Sequence, residues 1–176
     1  MLTRLGSRPP PEDVVDLLLE CHVRIRTFTE LALRLASAER PPPGEVVEAA
    51  RSVRRYFQEA LPLHALDEEE SVLPRLAGHD PDLDRALADM RREHAEHGEV
   101  LERVVGLCAE LEADPARHPE RAGELARTAE ALRLHFDRHL APEEATIFPA
   151  IRRLVPEEER RKILEELRAR RAHSSR

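Results

Sequence analysis

HALDEEESVLP, residues 64–74, sets a histidine and a glutamate four residues apart, His64 and Glu68, with a proline six residues after the glutamate. The chain then repeats the arrangement. Residues 139–149 read HLAPEEATIFP, with His139, Glu143 and Pro149 at the same offsets. Positions i and i+4 lie one above the other on a helix, about 5–6 Å apart at Cβ. A histidine and a glutamate so placed can reach one metal ion. Two such pairs on facing helices can reach two ions, with each carboxylate bridging.

Both pairs fall on apolar stripes of helical period. Upstream of the first motif the stripe is Val46, Ala50, Val53, Phe57 and Leu61; it then runs through His64 and Glu68 to Val72. This predicts a helix over about 45–76, kinked at Pro62, which removes a backbone donor and crowds the preceding turn. Upstream of the second motif the stripe is Leu125, Ala129, Leu132 and His135, continuing through His139, Glu143, Ile147 and Ala150. It predicts a helix over about 119–154, distorted at Pro142. Two further stripes each hold a histidine. Val15, Leu18, His22, Ile25 and Ala32 predict a helix over 11–39. Leu83, Leu87, Met90, His94, His97, Leu101, Val104 and Cys108 predict another over 81–113. PPPG at 41–44, Gly78 with Asp80-Pro81, and Asp114-Pro115 separate them. Val155-Pro156 leads into a short amphipathic segment, PEEERRKILEELRARRA.

Four long amphipathic helices with short connections predict an all-α fold: an antiparallel up-down-up-down four-helix bundle with a short C-terminal helix. The bundle would span 11–172 behind a flexible leader, 1–10. His22 precedes His64 by 42 residues and His94 precedes His139 by 45. The halves therefore repeat, and a pseudo-twofold axis should pass between Glu68 and Glu143.

The composition agrees. Of 176 residues, 36% are charged and 3% aromatic, which suits solvated helices rather than sheets. The net charge of −7, with both signs interspersed, gives no nucleic-acid surface. No apolar run approaches the roughly 18–20 residues that span a bilayer, and MLTRLGSRPPPED has no apolar signal segment. The expected location is the cytoplasm, the expected state a monomer or homodimer. Cys21 and Cys108, with no C-x-x-C spacing, read as reduced core thiols.

The candidate metal ligands are His22, His64, Glu68, His94, His139 and Glu143. In a chain this rich in glutamate, one His-x-x-x-Glu pair arises by chance, and a lone stripe histidine is more often a packing residue. The set is specific because both pairs lie on apolar stripes, both have a stripe histidine upstream, and both carry the same proline. Two inward carboxylates also need cations, since burying one alone costs several kcal/mol. Imidazole with carboxylate suits iron, manganese or zinc, and the lack of cysteine argues against structural zinc. Each ion would take two histidines and one oxygen from each glutamate, leaving room for a small molecule. His97 and His135, one turn from His94 and His139, are further candidates, as ligands or pocket residues. His79, His118 and His173 are expected in solvated loops or the tail, Tyr56 at the edge of the core, and Glu69 and Glu144 facing water or basic partners. A ferritin-like site is excluded, because none of the nine histidines has a glutamate three residues before it. Covalent haem is excluded by the absence of C-x-x-C-H.

ECHVRI around His22, HALDEEESVLP, REHAEH around His94 and HLAPEEATIFP resemble the four ligand segments of the hemerythrin-like, or HHE cation-binding, family. PEEERRKILEEL resembles its closing helix. The resemblance implies a four-helix bundle with two iron ions under an oxo or hydroxo bridge, binding oxygen, nitric oxide or peroxide in sensing, detoxification or stress response. Here His94 and His97 are spaced by three and the fourth helix ends its motif in Glu143. That is closer to the branch containing iron sensors and iron-centre repair proteins than to the oxygen carriers. The alternative is an iron or zinc module for storage, delivery or sensing without catalysis.

Overall fold

The computed structural model describes residues 11–174; the expected leader, 1–10, lies outside them. Five helices follow one another: α1 (Val14–Ser37), α2 (43–76), α3 (81–113), α4 (118–154) and α5 (Glu157–Ser174). Among the described residues there is no strand, and no helix is long and apolar enough to cross a membrane. Helix α1 packs against α2 and α4, and α3 packs against the same two, so the four form a closed ring. This is the expected four-helix bundle.

The starts are set by caps. Asp13 lies outside α1 rather than in its first turn, and its carboxylate accepts from the Val15 N–H at 2.8 Å. Asp80 caps α3 in the same way, with Pro81 in the first turn. Gly78, at φ +83°, supplies the left-handed turn before it.

The prolines act differently from the expectation. The backbone N–H groups of Leu61, Leu73 and Phe148 bond five residues back, to the carbonyls of Tyr56, Glu68 and Glu143. Each stands directly before a proline: Pro62, Pro74, Pro149. A proline in a regular helix crowds the carbonyl four residues back, and one wide π-turn ahead of it relieves that contact. The proline of each repeated motif thus places a wide turn at the motif's glutamate. Pro142, where a distortion is expected, is exposed and ends a stretch of α-helix: the Glu143 N–H bonds three residues back, to the Leu140 carbonyl, and the wide turn of Glu143–Ile147 follows directly.

The apolar interior is in two parts. One part, towards the α1–α2 and α3–α4 connections, holds Ile25, Phe57, Leu107, Leu111, Leu132 and Phe136 among others. The other, towards the opposite end, holds Leu18, Val72, Leu87, Met90, Ile147 and Ile151. Helix α5 closes this second end with Ile163, Leu164 and Leu167. It is also clamped by charge. Asp67, fully buried, meets Arg170 at 2.5 Å and Arg171 at 2.6 Å. Burial pushes the Asp67 carboxyl up, and the two guanidiniums oppose the shift.

Candidate metal centre

A polar layer separates the two apolar parts, and all six expected ligands lie in it. His22 stands between Leu18 and Ile25 on α1, His64 and Glu68 between Phe57 and Val72 on α2. His94 follows Met90 on α3, and His139 and Glu143 lie between Phe136 and Ile147 on α4. All are buried except His94, which is 11% exposed at its side chain.

The geometry resolves into two groups of four. His22, His64, Glu68 and Glu143 each offer an atom within 4.8 Å of one another, and so do Glu68, His94, His139 and Glu143. Both glutamates belong to both groups. Glu68 turns Oε1 towards His64, at 3.4 Å, and His22, at 3.9 Å, while its Oε2 lies 3.2 Å from His94. Glu143 turns Oε2 to His22, at 3.2 Å, and Oε1 to His139, at 3.1 Å. Each carboxylate therefore gives one oxygen to each group.

These contacts are close but not aligned as hydrogen bonds. His22 Nε2, both ring nitrogens of His64, both oxygens of Glu68 and both of Glu143 are buried without a hydrogen-bond partner. Buried polar atoms are ordinarily paired. Six of them, His22 Nε2, His64 Nε2 and the four carboxylate oxygens, lie in the two groups, where a cation pair would satisfy them, so the donor set fits metal.

Outside the layer, three more carboxylates hold the rings. The Nδ1–H of His22 donates to Glu144 at 2.8 Å, that of His94 to Glu69 at 2.8 Å, and that of His139 to Glu93 at 2.9 Å. An ionised carboxylate only accepts, so the proton sits on Nδ1 and Nε2 faces the centre. Glu144 is itself held by Arg26 at 2.8 Å. Glu69 and Glu144 are expected to face water or basic partners; Glu144 does pair with Arg26, but both also reach to candidate ligand rings on neighbouring helices. Glu93 was not singled out at all. The signal available was its position beside a ligand histidine.

The electrostatics describe a layer short of positive charge. Burial opposes charge on His22, but Glu143 and Glu68 hold its pKa up at about 9. Burial likewise opposes His94, and Glu68 with Glu69 raises it to about 9. Burial, aided by the charges of His22 and His94 and opposed by Glu68, takes His64 down to about 4. Burial, with the charge of His94, takes His139 to about 3. Burial and the charge of Glu68 push Glu143 up to about 8. Glu68, facing His64, His22 and His94, lies well below the usual carboxylate range despite its burial. Protons on His22, His94 and Glu143 thus balance what cations would otherwise balance.

The other histidines divide. His97 and His135 belong to neither group. His97 is buried with its ring 4.8 Å from that of His139 and 5.9 Å from that of His135. His135 is half-buried, and Phe136 takes the inward position expected of it. His118 is not a solvated loop residue: it opens α4, is buried, and its Nε2–H donates to the Leu35 carbonyl at 2.7 Å. His79 and His173 are exposed as expected. Tyr56 packs at the core edge, stacked on Phe28 with centroids 4.2 Å apart.

A cavity of about 200 Å³ reaches the layer from one side. Three ring residues of the layer, His64, His94 and His139, line it; its other walls include Ile25, Leu101 and Phe136, with His97 a further polar lining residue.

Fold and layer together define a class: a helical bundle with a buried layer of histidines and shared glutamates able to hold cations. The chain belongs to the hemerythrin family, whose HHE cation-binding domain matches residues 13–117. The match covers His22, His64, Glu68 and His94, while His139 and Glu143 lie beyond it and enter through the geometry. No curated protein matches the chain.

Proposed function

We propose that this chain is a non-haem di-iron protein that binds small oxidants, namely oxygen, nitric oxide or peroxide, at a carboxylate-bridged centre. The observation that carries this reading is the sharing of Glu68 and Glu143 between two histidine pairs, each glutamate giving one oxygen to each pair. His22 and His64 would hold one ion and His94 and His139 the other, with zinc or manganese as the alternative metals. Two iron ions held there, with an oxo or hydroxo bridge, would supply reversible one- and two-electron chemistry to a small ligand. The chain's own residues do the rest. Glu144, Glu69 and Glu93 fix three rings with Nε2 inward. The cavity admits a small molecule beside His64, His94 and His139 and is otherwise mostly apolar, which limits water. His97, held neutral by burial with its pKa at about 4, places one hydrogen-bonding ring in the cavity wall.

The test is metal analysis and an optical spectrum of protein purified without chelator, before and after azide, peroxide or nitric oxide. Two iron ions per chain and a charge-transfer band that shifts with these ligands are expected. Protein that stays colourless and inert after anaerobic iron loading refutes the reading. Bound metal with no response to any ligand transfers the function to storage or delivery.

A further inference from the structure

The repeat between the halves of the chain carries through the inner layer and then fails at one place outside it. His22 corresponds to His94, His64 to His139 and Glu68 to Glu143. The outer carboxylates follow the same symmetry at first. Glu69, next to Glu68, reaches His94, and Glu144, next to Glu143, reaches His22, each at 2.8 Å. The third does not. Glu93, just before His94, accepts from His139 Nδ1–H at 2.9 Å. Its counterpart just before His22 is Cys21. The Cys21 sulfur lies 3.3 Å from an Arg171 nitrogen on α5. Both ring nitrogens of His64 are left buried without a hydrogen-bond partner.

We propose that the two cation groups are unequal: the His94/His139 group takes the first ion, and the His22/His64 group holds the second as the weaker, exchangeable one. This rests on the metal centre proposed above. A carboxylate that accepts from Nδ1–H strengthens Nε2 as a donor and fixes both tautomer and ring orientation. The His94/His139 group has two such histidines. The His22/His64 group has one, so His64 must select its tautomer and settle its ring when the ion binds. Glu68 and Glu143 serve both groups and do not discriminate between them. The cavity touches His64 of one group and both His94 and His139 of the other, so access from it does not set the order. Loss of an outer partner of a ligand histidine lowers metal affinity about 10- to 100-fold, and that is the expected gap between the two groups. Cys21 and Glu93 are the positioning difference that sets it.

The experiment titrates Zn²⁺ into the metal-free full-length chain labelled with ¹⁵N in histidine, following the ring nitrogens by NMR. The first equivalent should move His94 and His139, and His22 and His64 should move only with the second. His22 and His64 moving first, or all four together, overturns the inequality and leaves the metal centre standing. No ring moving with either equivalent overturns the metal centre itself. Two variants identify the cause. Glu93→Gln, at a partly exposed position, should abolish the order of filling without changing the melting temperature of the metal-free chain. Glu144→Gln should weaken the second step and leave the first. An order of filling unchanged in Glu93→Gln overturns the role given to that carboxylate.

Discussion

Removing the metal should cost this bundle a large part of its stability. The structure sets the size of the effect. Seven buried polar atoms on four side chains, His22, His64, Glu68 and Glu143, have no hydrogen-bond partner. A buried polar group left unsatisfied costs about 1–3 kcal/mol. Taken once per side chain, that is roughly 4–12 kcal/mol, against a stability of about 5–15 kcal/mol for a typical domain. Protonation of His22, His94 and Glu143 relieves part of it, so the lower figure is the working one. For a chain of this size about 1 kcal/mol moves the melting point by about 2–4 °C. Stripping the metal should therefore lower the melting temperature by about 10 °C or more.

The assay is thermal unfolding followed by circular dichroism, on metal-loaded protein and on the same protein after dialysis against chelator. A control separates the cost of the empty polar layer from any effect of the chelator. Glu68→Leu combined with Glu143→Leu removes the carboxylates, and well-packed apolar replacements of buried ionic groups are often neutral or stabilising. The double variant should bind no metal and should melt above the metal-free wild type. A change below about 2 °C on removing metal that was shown to be bound would refute the reasoning. So would a double variant that melts lower than the metal-free parent.

Four further outcomes are expected. Ligation must displace protons from His22 and His94, both held at about 9, and from Glu143, at about 8; metal affinity should therefore rise with pH from about 6.5 to 9 and level off above, with proton release in a pH-stat titration near neutrality. In the metal-free chain the raised histidine pKa values contribute stability that is fully present below 6.5 and lost as pH rises through about 9, so its melting point should fall across that window. Glu68→Leu removes an oxygen from both groups, whereas His64→Leu removes a nitrogen from one, so metal per chain should fall towards zero in the first variant and towards one ion in the second. Arg170→Ala with Arg171→Ala takes both guanidiniums from the buried Asp67 carboxylate and should cost about 3–5 kcal/mol in urea unfolding.

The elements that were legible in the sequence are those written as periodicity. Four stripes of period three and four gave four helices, and the same stripes carried His22, His64, Glu68, His94, His139 and Glu143 into one layer. What escaped was written in contacts between helices that a single stripe cannot display. Glu69 and Glu144 each follow an inward glutamate, so along their own helix they point away from it. Only the neighbouring helix turns that side position into a contact with a ligand ring. Asp67 escaped for a related reason: it looks like the start of an exposed acidic run, yet it is fully buried and paired with Arg170 and Arg171 of α5. His118 with the proline after it resembles a loop, yet proline in a first helical turn is favourable, and the buried ring seals the Leu35 carbonyl near the end of α1. The prolines hold the same lesson. Pro74 and Pro149 are legible in the sequence only as a shared offset, and in the structure each follows a wide turn in the residues before it. The glutamate's own carbonyl closes that turn. The offset of six from glutamate to proline is thus part of the site: it sets the backbone on which Glu68 and Glu143 stand. Moving either proline one position along its helix should misplace the bridging carboxylate while leaving every ligand residue in the chain.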